Sequence, residues 1–205
     1  MHKVKTVLAL GAHPDDLELG CGATLAKLSD ARVRIRAVVF TDGGKGAPLD
    51  FDREQETRAA LNGLGVEDIV FHQFTDTRLH EQLNELIATI ERHVADLSPD
   101  RVYTMFDGDR HQDHRAVYQA SAVACRRVPQ ILGYETPSSY PNFLPTVFEQ
   151  VDQFIERKVK ALQQHKSQGD RLYMHEDKIR SAAHFRGVQV DLGQTEGFIP
   201  YKLVL

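Results

Sequence analysis

The feature that most constrains the fold is a rhythm. Short apolar runs rich in β-branched residues alternate with segments whose apolar residues recur every three or four positions. The runs are Val4 to Leu10 (VKTVLAL), Val33 to Thr41 (VRIRAVVFT), Val66 to Phe74, Asp100 to Phe106 (DRVYTMF) and Gln130 to Glu135. Between them, helices are expected over Gly20 to Ser29, with Leu25 and Leu28 inward, over Arg53 to Leu64, closed by Gly65, over His80 to Leu97 and over Asp113 to Arg127. In the third of these, Leu83, Leu86, Ile87, Ile90, Val94 and Leu97 share one face at helical spacing. Strands alternating with helices of this length imply a parallel sheet covered on both faces, with right-handed crossovers. After Pro137 the rhythm changes to a proline-marked loop (TPSSYPNFLP), helices near Val151 to His165 and Glu176 to Arg186, and a final strand near Phe198 to Leu205. The expectation is an α/β protein, one three-layer α/β/α domain over residues 1–205 with a mostly parallel sheet. A chain of 205 residues without an internal repeat suits one domain.

Composition narrows the function classes. A net charge of -4 supplies no general basic field for nucleic acid. The start, MHKVKTVLALGAHPDD, holds only about seven apolar residues before charges resume and lacks a small-residue cleavage site, so it fails as a secretory signal. No stretch reaches the roughly 18 apolar residues of a membrane span, and the chain reads as cytoplasmic. Cys21 and Cys125, far apart among small or apolar neighbours, read as buried reduced thiols.

In open parallel sheets, ligands sit beyond the carboxyl ends of the strands. There, directly after the first run, stand His13, Pro14, Asp15 and Asp16. His13 and Asp16, three residues apart, can reach one point in space, and imidazole with carboxylate suits Zn²⁺ at about 2.0–2.2 Å. Pro14 stiffens the turn, and Asp15 points to a different side. In the plainer alternative a carboxylate caps the following helix and His13 fills a turn. One carboxylate suffices for a cap, however, and this turn carries two, with Glu18 nearby. A catalytic zinc usually takes three protein ligands. A second cluster, FDGDRHQDHRAV, carries His111 and His114 on either side of Asp113 just after the strand ending at Phe106, on the same edge of the sheet.

With Ala12-His13-Pro14-Asp15-Asp16-Leu17-Glu18 and His111-Gln112-Asp113-His114, the sequence resembles the zinc-dependent N-acetylsugar deacetylases of the LmbE/PIG-L family. The resemblance continues through ELGCGATLAKL and REQETRAALNGLGV to SAAHFRGVQVDLGQTEGF. Gln112 stands where proline is frequent, and Ala23 replaces a glycine. The resemblance implies that His13, Asp16 and His114 hold Zn²⁺ or another divalent metal, that Asp15 is the general base and that His111 stabilises the developing oxyanion. It implies a Rossmann-like sheet, a small N-acetylated amino sugar or glucosaminyl conjugate as substrate, acetate as product, and a homo-oligomer.

On that reading Asp113 fixes the His111 imidazole and raises its pKa, and a protonated His111 meets the oxyanion. Asp109 is an acceptor behind the metal loop. Arg53, opening a helix after the glycine-rich TDGGKGAPLDFD, offers paired hydrogen bonds to sugar hydroxyls or a phosphate. Asp76 either accepts from a sugar hydroxyl or caps a helix, and Arg110 touches substrate or bridges to a carboxylate. The glycine-rich loop lacks the phosphate-loop pattern and reads as a mobile cover. His2, His72, His80, His93, His165, His175 and His184 read as ordinary surface or helix residues. Two rivals remain: a nucleotide-binding Rossmann module and a metal-retaining sugar-binding protein without turnover. Against the first, Asp15, Asp16 and Glu18 stand where a pyrophosphate should sit.

Overall fold

The structure, a computed structural model, describes residues 4–46 and 51–204. Residues 47–50 of the glycine-rich loop, His2 and the last residue of the expected final strand lie outside the described residues. Seven strands form one sheet: β1 (Thr6–Gly11), β2 (Arg34–Val39), β3 (Asp68–Phe71), β4 (Arg101–Met105), β5 (Gln130–Tyr134), β6 (Val147–Gln150) and β7 (Thr195–Leu203), in the spatial order β3-β2-β1-β4-β5-β7-β6. The first five pair in parallel. β1 is central, and Val7, Leu8, Ala9 and Leu10 are fully buried, which is why it reads as an unbroken apolar run.

The helices are α1 (Asp16–Asp30), α2 (Arg53–Gly63), α3 (Leu83–Leu97), α4 (Gln112–Ala124), α5 (Ile155–Leu162) and α6 (Glu176–Val188). The chain leaves β1 outward through β2 and β3, then returns to β4 on the other side of β1. Right-handed crossovers therefore set α1 and α2 on one face and α3 and α4 on the other; α5 packs on α1 and α2, and α3 packs on α4. The order of strands reverses between β1 and β4, and a crevice opens there at their carboxyl ends. Among the described residues, no helix is long and apolar enough to cross a membrane. Cys21 and Cys125 are buried and free.

The α/β/α class is the one observed, with two departures in detail. β6, between the proline-marked loop and the expected helix near Val151, is a half-buried strand of four residues, too short to carry a period. It and β5 flank β7 in antiparallel fashion, a common edge on an otherwise parallel sheet.

α1 begins at Asp16 rather than Gly20 because it is two helical pieces joined at Cys21 (φ -143°, ψ 18°). The apolar period belongs to the second piece; the first turn is held by polar contacts. The Glu196 carboxylate accepts the Ala23 and Thr24 N–H groups at 3.2 and 2.7 Å, and Lys158 Nζ donates to Leu19 O and to Glu196, each at 2.7 Å. This buried pair satisfies backbone groups that the break would otherwise orphan.

Gly20 lies against the ring of Tyr134, whose hydroxyl donates to Leu10 O at 2.7 Å. A Cβ at position 20 would stand 2.0 Å from Tyr134 Cδ2. Gly20→Ala must therefore displace either a fully buried ring or the first turn of α1. The expected cost is about 1–3 kcal/mol, read from denaturant unfolding; unchanged stability would contradict this packing.

Candidate metal centre

Two loops meet over the crevice between β1 and β4. The first turns from β1 through His13 and Pro14 into α1. Its residue Asp15 has φ +98°, left-handed backbone that costs a non-glycine residue on the order of 1–3 kcal/mol. Neighbours hold it there: Leu19 N–H donates to Asp15 O at 2.9 Å, and Arg53 donates to Pro14 O at 2.6 Å. Asp15 makes no side-chain cap on α1, so the plainer capping role does not account for it. The second loop runs from β4 to α4, and His111 is the residue before α4.

The loops bring three donor groups together. His13 Nδ1 lies 3.3 Å from His114 Nε2; Asp16 offers Oδ2 at 3.4 Å to the former and Oδ1 at 3.2 Å to the latter. Bonds of about 2.0–2.1 Å set the ligand atoms of a tetrahedral zinc roughly 3.3–3.4 Å apart. Each pair of groups therefore approaches at ligand spacing, Asp16 meeting the two rings through different oxygens. The opposite ring nitrogens meet buried carboxylates: His114 Nδ1 is 3.0 Å from Asp109, and His13 Nε2 is 3.2 Å from Asp113 and 3.3 Å from Asp76. Those contacts fix the tautomer of each ring and leave His13 Nδ1 and His114 Nε2 free to bind a cation. Two further donor groups, His13 with His111 and His114, and His13 with Asp76 and Asp113, each bring one ligand atom per residue within 4.8 Å of the others.

The electrostatics agree. Burial works against charge on His13, yet Asp113, Asp16 and Asp76 outweigh it and raise its pKa well above the ordinary value. His114 rises to about 9 against its burial, drawn by Asp16 and Asp109. Asp16 is buried too, and both imidazoles hold its pKa well below the carboxylate range. Without a metal, protons on these rings supply the positive charge that the carboxylates demand. Asp15 differs: burial raises it to about 6, and Arg53 offsets this only in part.

Several sequence-derived roles change. The Asp113 carboxylate does not reach the His111 ring. It faces His13 and accepts the Thr77 and Leu79 N–H groups at 2.7 and 3.1 Å, because the first turn of α4 aims it back toward β1. It is the Asp113 backbone N–H that donates to His111 Nδ1, at 3.2 Å. Nor is His111 driven to protonate: burial, then the charges of His13 and His114, push its pKa below the ordinary value.

Asp76 does not cap the helical turn that follows it; its Oδ1 faces His13 and its Oδ2 accepts the N–H of Lys45, in the short 3-10 turn of the glycine-rich loop, at 2.9 Å. Arg110 bridges to no carboxylate; its guanidinium donates to the carbonyls of Pro137 and Ser138, each at 3.1 Å. Arg53 lines the cavity; its Nη1 donates to Gly43 O at 2.8 Å and its Nη2 to Asp15 at 3.3 Å besides Pro14, while its buried Nε has no protein partner among the described residues. Asp109, read as an acceptor behind the loop, is fully buried against His114.

All these rims enclose a cavity of about 480 Å³. Its far wall includes Gln168, Arg171 and Tyr173, which sequence reasoning passed over. His165, read as ordinary, is buried and lies 3.1 Å from the equally buried Glu18. Nothing in the local pattern marks these residues, since their partners stand far away in sequence.

Comparison with known proteins gives a consistent result. Residues 8–125 match the family PIG-L, GlcNAc-PI de-N-acetylase. The chain is 52% identical over 172 residues to the uncharacterized deacetylase YaiS of Escherichia coli (strain K12), covering 81% of this chain and 93% of that protein. It is 30% identical over 227 residues to diacetylchitobiose deacetylase of Thermococcus kodakarensis, covering 96% and 84% respectively. The N,N'-diacetylchitobiose deacetylase structure from Pyrococcus horikoshii superposes with a TM-score of 0.80 at 25% identity, over 97% of this chain and 84% of that one.

Because Asp109 orients a candidate ligand from behind, Asp109→Asn is expected to weaken zinc retention about 10–100-fold while the chain stays folded. Competition with a chromophoric chelator measures it; wild-type affinity would contradict the orienting role.

Proposed function

Because this chain belongs to the PIG-L, GlcNAc-PI de-N-acetylase family, we propose that it is a zinc-dependent N-deacetylase that hydrolyses the acetamide of a small N-acetylated amino sugar. The observation that carries the reading is the convergence of His13, Asp16 and His114, pairwise within 3.2–3.4 Å, with a second carboxylate, Asp15, left outside them. His13, Asp16 and His114 would hold the ion. When bound, zinc would supply Lewis acidity, lowering the pKa of a water to about 7 and polarising the amide carbonyl.

The remaining work falls to the chain's own groups. Arg53 holds Asp15 Oδ2 at 3.3 Å, leaving the other oxygen to take a proton from the attacking water. A carboxylate raised to about 6 by burial suits a base near neutral pH. Attack on the acetyl carbon forms a C–O bond and an oxyanion. His111, neutral, keeps its proton on Nε2 because Nδ1 already accepts from the Asp113 N–H, and Nε2–H donates to that oxyanion. A neutral donor thus replaces the protonated one expected from sequence. Asp15 then passes its proton to the amine nitrogen, the C–N bond breaks, and acetate and the free amino sugar leave. Arg53, Asp76 and Arg110 line the cavity and position substrate chiefly through the loops they hold. A cytoplasmic homo-oligomer completes the proposal, the assembly being what the family resemblance implies.

Two substitutions separate the roles. Asp15→Ala is expected to retain zinc and lose about 10²–10⁴-fold in acetate release, whereas His114→Ala loses zinc as well. His111→Ala is expected to cost about 10²–10³-fold in kcat with zinc retained. Metal analysis beside an acetate assay on N-acetylglucosamine derivatives reads all three. Full activity in any variant would contradict the assignment, and zinc retention without acetate release by the wild type would favour the non-catalytic sugar-binding alternative.

A further inference from the structure

The far wall of the cavity is one continuous strip. Over residues 165–174 the backbone closes successive turns at three-residue spacing: Gln168 N–H donates to His165 O at 3.0 Å, Arg171 N–H to Gln168 O at 2.9 Å and Met174 N–H to Arg171 O at 2.9 Å. Gln168, Arg171 and Tyr173 line the cavity from it. The strip is tied down along its length. At its far end Met174 is buried in the apolar cluster of α5 and α6, around Val159 and Ile179. In the middle, Ser167 donates through its N–H and its hydroxyl to the Glu56 carboxylate on α2, at 2.9 and 2.6 Å. At the near end stands His165, whose Nε2 lies 3.1 Å from Glu18 Oε1 on α1.

The His165–Glu18 contact has no local reason to exist. Glu18 is the third residue of α1, where a glutamate ordinarily reaches back to the N–H of the residue that caps the helix. Its carboxylate instead meets a ring 147 positions on. Both residues are 1% exposed, and Glu18 Oε2 and His165 Nδ1 have no partner among the described residues, so a single hydrogen bond joins the pair. Buried pairs of this kind stabilise a fold no better than apolar residues of similar volume, yet losing one partner strands the other. What the pair does fix is a position. Glu18 follows Asp15 by one helical turn, so the strip is locked to the turn that carries the proposed base.

The lock reaches the opposite rim. Gln168, one 3-10 turn from His165, donates its side-chain N–H to Gly46 O at 3.1 Å. Gly46 N–H donates to Gly43 O at 3.0 Å, which also accepts from Arg53, while Asp76 holds Lys45 N–H. The 43–46 turn is thus gripped between the strip on one side and, on the other, Arg53 and Asp76, the neighbours of Asp15 and His13. We propose that His165 is a positioning residue: bound to Glu18, it fixes the strip that presents Gln168, Arg171 and Tyr173 and holds the 43–46 turn, and thereby sets how tightly substrate is held rather than how fast it reacts. The inference rests on the N-deacetylase reading for what enters the cavity.

Amide hydrogen exchange and acetate-release kinetics on the zinc-loaded protein test it together. In His165→Ala the amides of the 43–46 turn are expected to exchange about tenfold faster. On the N-acetylglucosamine derivative that the wild type hydrolyses fastest, KM is expected to rise about tenfold, with kcat and zinc retention within about twofold. His165→Gln keeps an N–H donor for Glu18 and is expected to restore both the exchange rate and KM. Ser167→Ala loosens the strip at α2 without stranding a buried charge; it is expected to raise KM about threefold, and it carries the test should His165→Ala fail to fold. A fall in kcat at unchanged KM, turn amides that exchange at the wild-type rate in these variants, or a His165→Gln protein as impaired as His165→Ala would overturn the proposal. No acetate from the wild type on any derivative overturns the deacetylase reading alone, and the exchange rates then decide this proposal.

Discussion

The arrangement depends on how two buried imidazoles are held 3.3 Å apart. His13 and His114 would repel each other if both were charged and unpaired, and each would cost several kcal/mol in a dry interior. The structure surrounds them with carboxylates, Asp16 between the rings and Asp109, Asp113 and Asp76 behind them. Such a cluster carries an excess of negative charge that only protons or a metal cation can balance. The outer carboxylates bind the far ring nitrogens, so they also decide which nitrogens look inward. Position, tautomer and charge at the centre all follow from these contacts.

The fold supplies the contacts by bringing β1 and β4 together at the reversal of strand order, so that two sequence-distant loops share one rim. Their precision comes from beneath. The ring of Tyr134 sets the first turn of α1 against the end of β1, and the Lys158–Glu196 pair replaces hydrogen bonds lost at the Cys21 break. That break frees the first turn of α1 from the line of the rest, letting Asp16 reach His114 while Asp15 adopts left-handed backbone and turns to Arg53. Backbone strain sits at Asp15 and again at Thr77 (φ +69°), whose N–H binds Asp113. Both strained residues adjoin the centre, where a rigid surround pays for them.

Much of this was legible in the chain. Buried parallel strands leave unbroken apolar runs, and helices between them leave a three-and-four period, so the layered α/β class can be read directly. The clusters His13–Asp16 and His111–His114 stood out because so many metal-binding side chains at strand ends have no structural need to be there; which of them form the ligand set came from the family resemblance. What stayed hidden depends on contacts without local period. The first turn of α1 carries no apolar stripe, and β6 is too short for alternation. Asp113 sits two residues from His111, which suggested a pairing that the first turn of α4 prevents; the sequence distance was short, but the side chain points elsewhere. His165 and Glu18 lie far apart in sequence, and only the packing of the segment after α5 onto α1 brings them within 3.1 Å.

On the proposed assignment one carboxylate and two imidazoles, not three imidazoles, face a bound zinc ion, leaving His111 free to donate. X-ray absorption at the zinc edge of the zinc-loaded protein tests it most directly. The account predicts a first shell of two imidazole nitrogens completed by oxygen donors at about 2.0–2.1 Å, unchanged by His111→Ala. A shell with three imidazoles, or one that loses an imidazole in that variant, would contradict it.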